Sequence, residues 1–454
     1  MDEGPGSSYV PSSPRKVLVV VGTRPEAIKL LPLVKAIRAS PHMDPVVVAT
    51  GQHPRVVEDV LGLAGLDIDV NLAVADPAHS LNGLFCAVLT GFERFCIDAF
   101  GPSTGPVQER DYQTYPAACV VHGDTTSAAA AAVSAFHLQI PVVHVEAGLR
   151  TGNTRSPYPE ELNRQIISRI AAFHLAPTDR NCENLVREGV PLNRIFVCGN
   201  TAIDALDWAA TLRTPYGDPL LADLEHDEAT RVVVVTAHRR ENWGSGLERI
   251  GTAVAALADR YPDVRFVLPV HPNPRVAEVL EERLSGRANV SLVRPMEYTA
   301  FARLLKRAYL AITDSGGIQE EAPALGTPVL VVREETERQE GVDAGTLRLV
   351  GTDVDAIVST ATTLLDDPDA YLAMASRSNP YGDGHAAERI VAAFEHVAFA
   401  APEPSPFGSG FDRLSVLQAG GFDDDPRAAL THSMPDRLAV PEAHDELLEG
   451  ADVR

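Results

Sequence analysis

The sequence predicts an α/β fold built from doubly wound parallel sheets, and two observations lead to that prediction. The first is a set of continuous β-branched runs, which are typical of strands buried on both faces. These runs lie at 17–22, 45–50, 118–124, 140–148, 194–200, 231–238, 264–271, 309–317 and 327–332. Amphipathic stretches alternate with them, for example at 28–39, 125–136 and 301–308. Such alternation indicates parallel sheets covered by helices.

The second observation is an internal echo between the two halves of the chain. Residues 15–37 and 230–254 each place a Val-rich run before an Arg-bearing loop and a helical pattern. Residues 120–130 and 311–321 each place an Asp at the end of a run, before small residues and a helical pattern. We therefore expect two Rossmann-like domains that face each other across a cleft. Ligands of such folds bind beyond the carboxyl ends of the strands, so function is sought there.

Composition and charge exclude several classes of function. The chain has 454 residues, 45% of them hydrophobic, and its 62 acidic and 39 basic residues give a net charge of −23. This charge disfavours nonspecific binding to nucleic acid or to anionic membranes, and no apolar run reaches the ~20 residues of a membrane span. The five cysteines form no C-x-x-C pair, which favours a reducing compartment. We expect a cytoplasmic protein that binds any anionic ligand in a local basic pocket.

The two ends of the chain differ from the middle. Residues 1–14 are rich in Gly, Ser and Pro, and residues 401–454 contain eleven acidic residues and four arginines. Polar, charged segments with many Pro and Gly residues bury too little apolar surface to fold. We expect a flexible N-terminus and an acidic, disordered tail that the folded core does not need.

A Gly-rich turn follows the run that ends at Asp314. Ser315, Gly316 and Gly317 lead into a helical pattern, where close backbone approach and free N–H groups favour a phosphate. Glu321 lies one turn further on, where its carboxylate could accept hydrogen bonds from a ribose. The structural alternative is a Ser helix cap with tightly packed glycines. No Walker or dinucleotide fingerprint is present, so the usual signatures of ATP and NAD sites are missing.

Basic groups follow other runs. Arg24 lies two residues after the first run and could bind a diphosphate, or could simply pair with Glu26. His238 follows a run in the second half together with two arginines, and His271 closes another run. Either histidine could instead form structural hydrogen bonds. Neither belongs to a metal-binding array, so no metal site is expected.

Carboxylates form the most informative set. Asp124 and Glu146 each end a buried run, and Glu160 and Glu161 follow in the segment SPYPEELNR. Acids that converge at such ends can act as proton donor and acceptor when their pKa values differ. The structural alternatives are that Asp124 caps the next helix and that Glu160 or Glu161 pairs with Arg164.

Taken together, these segments resemble the non-hydrolysing bacterial UDP-N-acetylglucosamine 2-epimerases. The resemblance covers roughly residues 16–395 and rests on long motifs in the order of the family. They include GTRPEAIKLLPLV, VVHGDTTSA, VVHVEAGLRTG, SPYPEELNR, TAHRREN, PVHPNP, ITDSGGIQEEAPALGTPVLVVREETER and NPYGDG. It implies a GT-B-like homodimer that interconverts UDP-GlcNAc and UDP-ManNAc without NAD or metal. The implied route eliminates UDP to give 2-acetamidoglucal and then adds UDP back.

The resemblance also implies domain limits and residue roles. The first domain would span 15–203, the UDP-binding domain 204–378, and a helix at 379–400 would cross back to the first domain. The implied catalytic residues are Asp124, Glu146, Glu160 and His238. The implied substrate-binding residues are Arg24, Lys29, His271, Phe301, Ser315, Gly316, Gly317, Glu321 and Arg338, with Glu321 at the ribose and Phe301 at uracil.

The sequence departs from the family pattern at two places, and three other functions are considered. The family's T-E-R-P-E-A is here TERQEG at 336–341, which removes a proline and predicts a looser loop around Arg338. His385 replaces the Lys that usually follows NPYGDG. A hydrolysing epimerase or a GT-B glycosyltransferase would use a related UDP-sugar. A ligand-binding sensor is disfavoured, since binding alone would not need acids facing an anion.

Overall fold

The computed structural model describes residues 13–74, 80–102, 115–227 and 229–408, which form two compact units. Unit 1 extends to Cys198 and resumes at Ala387, and unit 2 is Gly199–Ala386. The sequence analysis placed these divisions after residues 203 and 378. The acidic tail from residue 409 onward and residues 1–12 of the N-terminus lie outside the described residues. No helix within the described ranges is long and apolar enough to span a membrane.

Unit 1 contains a parallel sheet in the order β3-β2-β1-β4-β5-β6-β7. Its strands are β1 (Arg15–Val21), β2 (Met43–Ala49), β3 (Val70–Asn71), β4 (Ala118–His122), β5 (Val142–Val145), β6 (Ala171–Ala176) and β7 (Ile195–Val197). Its first helices are α1 (Arg24–Ala39), α2 (Pro54–Gly62), α3 (Leu81–Phe100), α4 (Thr126–His137), α5 (Glu160–Ile170) and α6 (Asp179–Arg187). The strand order reverses between β1 and β4, which is where doubly wound sheets bind ligands.

Unit 2 repeats this plan with a parallel sheet in the order β10-β9-β8-β11-β12-β13. Its strands are β8 (Val232–Thr236), β9 (Arg265–Pro269), β10 (Val290–Val293), β11 (Leu310–Thr313), β12 (Val329–Val331) and β13 (Leu347–Leu349). Its helices are α7 (Thr201–Thr211), α8 (Ser245–Arg260), α9 (Pro274–Leu284), α10 (Tyr298–Arg307), α11 (Gly316–Ala324), α12 (Gln339–Ala344), α13 (Val354–Asp366) and α14 (Pro368–Ala375). The order reverses between β8 and β11, as the internal echo predicts.

Every β-branched run in the sequence contains a strand, so the predicted parallel α/β class is confirmed. The prediction missed four strands, β3, β6, β10 and β13. Three of these have two to four residues. The fourth, β6, starts directly after α5 and has the sequence AAFHLA, so neither a turn signal nor a β-branched run announces it. Short or alanine-rich strands are stabilised by their neighbours rather than by propensity.

The last helix, α15 (Ala386–Phe399), packs against unit 1. The ring of Phe394 meets the buried ring of Phe173 edge-on at 5.1 Å. The hydroxyl of Ser40 donates a hydrogen bond to the Glu395 carboxylate, 2.7 Å away. The C-terminal end of the described chain is therefore anchored to unit 1 by both apolar and polar contacts.

The segment 401–408 corrects part of the expectation of a disordered tail. The backbone N–H of Phe407 donates to the carbonyl of Val197 at 2.8 Å. Val197 lies on β7, which is an edge strand of the sheet. The Phe407 ring packs on an apolar cluster of unit 1 and lies 5.4 Å from the Arg389 guanidinium. Exposed edges favour unwanted strand pairing, and this segment covers one of them.

We expect the segment 401–408 to stabilise unit 1. A chain ending at Ala400 should melt about 2–4 °C below a chain ending at Gly408, because removing partly buried aromatic contacts costs on the order of 1 kcal/mol. The matched pair differs only in the segment itself, so other effects of the tail cancel. Equal thermal midpoints in differential scanning calorimetry would show that the contacts of Phe407 add no stability.

Candidate active-site groups of the two units

The acids of unit 1 gather at the switch point of its sheet. Strands β1, β4 and β5 are neighbours, and Arg24, Asp124 and Glu146 follow their carboxyl ends. Lys29 lies on α1, which starts directly after β1. The parallel topology therefore places together side chains that are more than a hundred residues apart in sequence.

Glu146 has an unusual backbone and two close partners. Its φ is +59°, a left-handed conformation that is costly for a residue with a side chain and is common at functional sites. One carboxylate oxygen, Oε2, accepts a hydrogen bond from the ammonium of Lys29 at 2.5 Å. The same oxygen lies 3.4 Å from Nε2 of His122. Lys29 is thus a partner of a predicted catalytic acid, a contact that the sequence did not indicate.

Asp124 pairs with a buried arginine instead of capping a helix. Its Oδ2 lies 2.6 Å from Nη2 of Arg164, and its backbone carbonyl accepts a hydrogen bond from the Asn163 amide. The cap of α4 is the hydroxyl of Thr125, so the capping alternative for Asp124 is wrong. Burial raises the pKa of Asp124 even though Arg164 opposes the shift, and nearby Glu146 raises it further.

Glu160 and Glu161 have different environments although they are adjacent. Glu161 is fully buried, pairs with Arg164 at 3.0 Å and accepts the backbone N–H of Thr151 at 3.1 Å. Burial acts to raise the pKa of Glu161, but these hydrogen bonds outweigh it and the pKa is lowered. Within the described part of the chain, Oε2 of Glu160 is buried and forms no hydrogen bond. The structural role foreseen for one of the pair therefore belongs to Glu161.

Glu26 is occupied at the start of α1. Its carboxylate accepts hydrogen bonds from the backbone of Gly22 and Thr23 and from the hydroxyl of Thr125. These bonds close a capping box and join the start of α1 to that of α4. The structure therefore does not show the ion pair between Glu26 and Arg24 that the sequence left open.

In unit 2, buried Asp314 organises the loop that carries His238. Asp314 is fully buried and accepts hydrogen bonds from the backbone N–H of His238 and of Arg239, both at 2.9 Å. The Asn242 amide adds a third donor at 3.0 Å. The sequence marked Asp314 only as the end of a strand. Strands β8 and β11 are neighbours in the sheet. Asp314 follows β11 and the loop with His238 follows β8, so Asp314 lies beside that loop.

The imidazole of His238 lies between a carboxylate and a second imidazole. Nδ1 is 3.4 Å from Oδ1 of Asp314, and the ring stacks on that of His271 at 6.1 Å and 11°. Burial lowers the pKa of His238, and the neighbouring Arg239 and His271 add to this effect against Asp314. His271 in turn accepts the backbone N–H of Asn273. A neutral His238 can donate a hydrogen bond to a ligand anion.

The Gly-rich turn opens α11, as predicted, and packs tightly against an arginine. Ser315 occupies the cap position but its side chain makes no capping hydrogen bond. A Cβ at Gly316 would lie 2.9 Å from Cζ of Arg338, and one at Gly317 would lie 3.6 Å from Oε1 of Glu321. Tight packing at Gly316 is thus confirmed, and it brings a guanidinium to a helix N-terminus, where anions bind.

Arg338 is held firmly despite the missing proline. Its guanidinium pairs with Glu320 at 2.9 Å and with Glu337 at 3.3 Å. Burial acts against the charged form, but these carboxylates raise the pKa of Arg338. Helix α12 begins at the next residue, and a Cβ at Gly341 would lie 2.5 Å from Cδ1 of Leu347. Gly341 therefore fits the packing of this chain, and the looser loop around Arg338 stays a prediction.

Phe301 and Glu321, the other predicted nucleoside contacts, lie on α10 and α11. Phe301 is half-buried and packs on two apolar clusters of unit 2. On the same helix, Oη of Tyr298 is buried and has no hydrogen-bond partner among the described residues. Throughout the ranges that the structure describes, no group of three or more His, Cys, Asp or Glu side chains could hold a metal ion.

Comparison with known proteins identifies the family. The family model for UDP-N-acetylglucosamine 2-epimerase matches residues 35–395. The UDP-N-acetylglucosamine 2-epimerase of Yersinia pestis is 45% identical over 388 residues, which are 84% of this chain and 98% of that protein. The chain belongs to this family. The epimerase of Neisseria meningitidis, solved with UDP-GlcNAc bound, is 40% identical with a TM-score of 0.71, covering 83% of this chain and 98% of that one. Another solved UDP-N-acetylglucosamine 2-epimerase is 39% identical with a TM-score of 0.78, covering 87% and 100%.

The resemblance found in the sequence is thereby confirmed, as is the two-domain parallel fold of an epimerase. The roles assigned to individual residues stay predictions. Sequence reasoning missed the contacts of His122 and gave Arg164 only a structural role. The signals were present, since His122 lies two residues before Asp124 and Arg164 lies one helical turn after Glu160.

Proposed function

We propose that this chain interconverts UDP-N-acetylglucosamine and UDP-N-acetylmannosamine by inverting the configuration at C2. The observation that carries this proposal is the pair of carboxylates in unit 1 with contrasting surroundings. Glu146 contacts an ammonium, whereas Asp124 has a raised pKa through burial. Carboxylates whose environments differ in this way are suited to opposite roles in proton transfer.

The chemistry requires both proton transfer and stabilisation of a leaving group. The C2–H bond is a weak acid, and its proton leaves as the C1–O bond to the diphosphate breaks. The electron pair of C2–H becomes the C1=C2 double bond of 2-acetamidoglucal, and UDP carries away the C1–O pair. Protonation at the opposite face of C2 and re-addition of UDP to C1 complete the inversion. Asp124, Glu146 and Glu160 supply the proton donors and acceptors.

Unit 2 supplies the groups suited to a departing diphosphate. The N-terminus of α11, the Arg338 guanidinium at Gly316 and neutral His238 can all donate hydrogen bonds to phosphate oxygens. These donors matter because the chain as a whole carries a charge of −23 and repels anions. Glu321 and Phe301 serve the nucleoside in this proposal, and His271 adds a further polar group in unit 2. In unit 1, Arg24 and Lys29 are the basic groups proposed to bind substrate.

Product analysis separates this activity from its alternatives. Incubation with UDP-GlcNAc alone should give a mixture of the two UDP-sugars, which ¹H NMR resolves by their anomeric signals. Accumulation of free N-acetylmannosamine and UDP would instead establish a hydrolysing epimerase. Complete absence of reaction until a sugar acceptor is added would establish a glycosyltransferase, which the GT-B-like resemblance also allows.

The adjacent acids provide a matched control within this assay. Glu160→Gln should lower turnover by roughly 10²-fold and leave the thermal midpoint unchanged. Asp124→Asn and Glu146→Gln should lower turnover by a similar factor. Glu161→Gln should chiefly lower the thermal midpoint, because it weakens a buried ion pair with Arg164. Normal turnover in the Glu160, Asp124 and Glu146 variants together would remove the acids from the mechanism.

We also propose that the protein is a cytoplasmic homodimer that associates through α3 and α4. These helices pack together, and the hydroxyl of Ser134 donates to the carbonyl of Leu89 between them. Their outer surface exposes Leu81, Ile97 and Phe136, the last with half of its surface accessible. All five cysteines are free, which fits a reducing compartment.

Equilibrium sedimentation should give twice the chain mass for the wild type and the chain mass for Phe136→Glu. A monomeric wild type would contradict this interface.

A further inference from the structure

His122 is a buried imidazole with one close functional neighbour. It is the last residue of β4, and its backbone pairs with Val145, the residue before Glu146. Only 3% of its surface is exposed. Its Nε2 is buried, forms no hydrogen bond with any described residue and lies 3.4 Å from Oε2 of Glu146. Leaving a buried ring nitrogen without a partner is costly, so the position calls for an explanation.

The charge state of His122 makes it a donor rather than a counter-ion. Burial lowers the pKa of His122 to about 4, against the effect of Glu146 and with a further lowering by Lys29. The ring is therefore neutral near pH 7, and its Nε2–H can donate one hydrogen bond to a carboxylate. Hydrogen bonds of this kind are often long without substrate and shorten in the substrate complex.

We propose that His122 is a positioning residue that directs the Glu146 carboxylate during proton transfer at C2. This inference rests on the proposed epimerase function. His122 and Lys29 both approach Oε2, from β4 and from α1. With Oε2 held between them, the carboxylate keeps one orientation in which it exchanges the proton with C2. The donors also favour the ionised carboxylate, which is the form able to accept that proton.

An experiment on His122 must separate its effect on Glu146 from the effects of the other titratable groups around that carboxylate. Lys29 approaches from α1 and His122 from β4, while Asp124 faces it from the turn after β4, paired with Arg164 of α5. His144 lies on β5 itself, and burial lowers the pKa of His144 to about 3, so it stays neutral. Lys29 and His122 both approach the same carboxylate oxygen, Oε2. A variant at His122 therefore removes the group that approaches from β4 and leaves the Lys29 ammonium in place.

The decisive pair of variants is His122→Gln and His122→Asn. The Gln amide reaches the position of Nε2 and can still donate, whereas the Asn amide is one methylene shorter and cannot reach Oε2. Loss of a donor raises the pKa of a carboxylate, so the acidic limb of kcat/KM should move to higher pH by about one unit in His122→Asn. The kcat of this variant should fall by roughly 10-fold or more, while His122→Gln should keep the limb of the wild type. Inhibition by UDP, which unit 2 binds, should be unchanged in both.

His174 supplies the control. It is a histidine of β6 with 1% exposure, and His174→Asn should leave the acidic limb unchanged whatever it does to stability. An acidic limb that stays in place in His122→Asn, or that moves equally in His122→Gln, would overturn the inference. If His122→Asn does not fold, His122→Leu, which also has no donor to Oε2, takes its place in the comparison with His122→Gln. A wild type without epimerisation would refute the proposed function instead, so the two failures are distinguishable.

Discussion

Carboxylates at the carboxyl ends of buried strands need hydrogen-bond donors, and the arrangement of both units depends on how that need is met. In unit 1 the Arg164 guanidinium joins Asp124 to Glu161, and Lys29 pairs with Glu146. In unit 2 Asp314 receives three donors from the loop after β8. Burying any of these acids without its partners would cost several kcal/mol. The sheets can therefore end in acids only because specific loops and helices supply donors beside them.

The same arrangement separates acids that stabilise the fold from acids that are available for chemistry. Glu161 and Asp314 are fully buried and saturated with donors, so they fix neighbouring groups in place. Oε2 of Glu160 is buried without a hydrogen bond to any described residue, and Glu146 has a left-handed backbone. Unsatisfied polar atoms and strained backbone are expected where a protein trades stability for reactivity. This contrast between adjacent Glu160 and Glu161 is the clearest example.

Much of this could be predicted from the sequence, because the parallel strands appear as continuous β-branched runs and the acids directly follow them. The alanine-rich strand β6 and the three short strands could not, since neighbours and not propensity stabilise them. The sequence also did not show which side chains contact each other at the ends of neighbouring strands. Which of Glu160 and Glu161 meets Arg164 depends on the phase of α5, and the contact of Lys29 with Glu146 depends on the order of β1, β4 and β5. The packing of Phe407 on unit 1 was obscured by the acidic composition around it.

We propose that carboxylates of unit 1 remove and return the proton at C2. The most direct measurement is ¹H NMR of UDP-GlcNAc with the enzyme in D₂O, followed until the two UDP-sugars reach equilibrium. This mechanism predicts that both sugars lose their C2 proton signal, because solvent deuterium exchanges onto the carboxylates between the two transfers. Epimerisation with the C2 protium fully retained would contradict it.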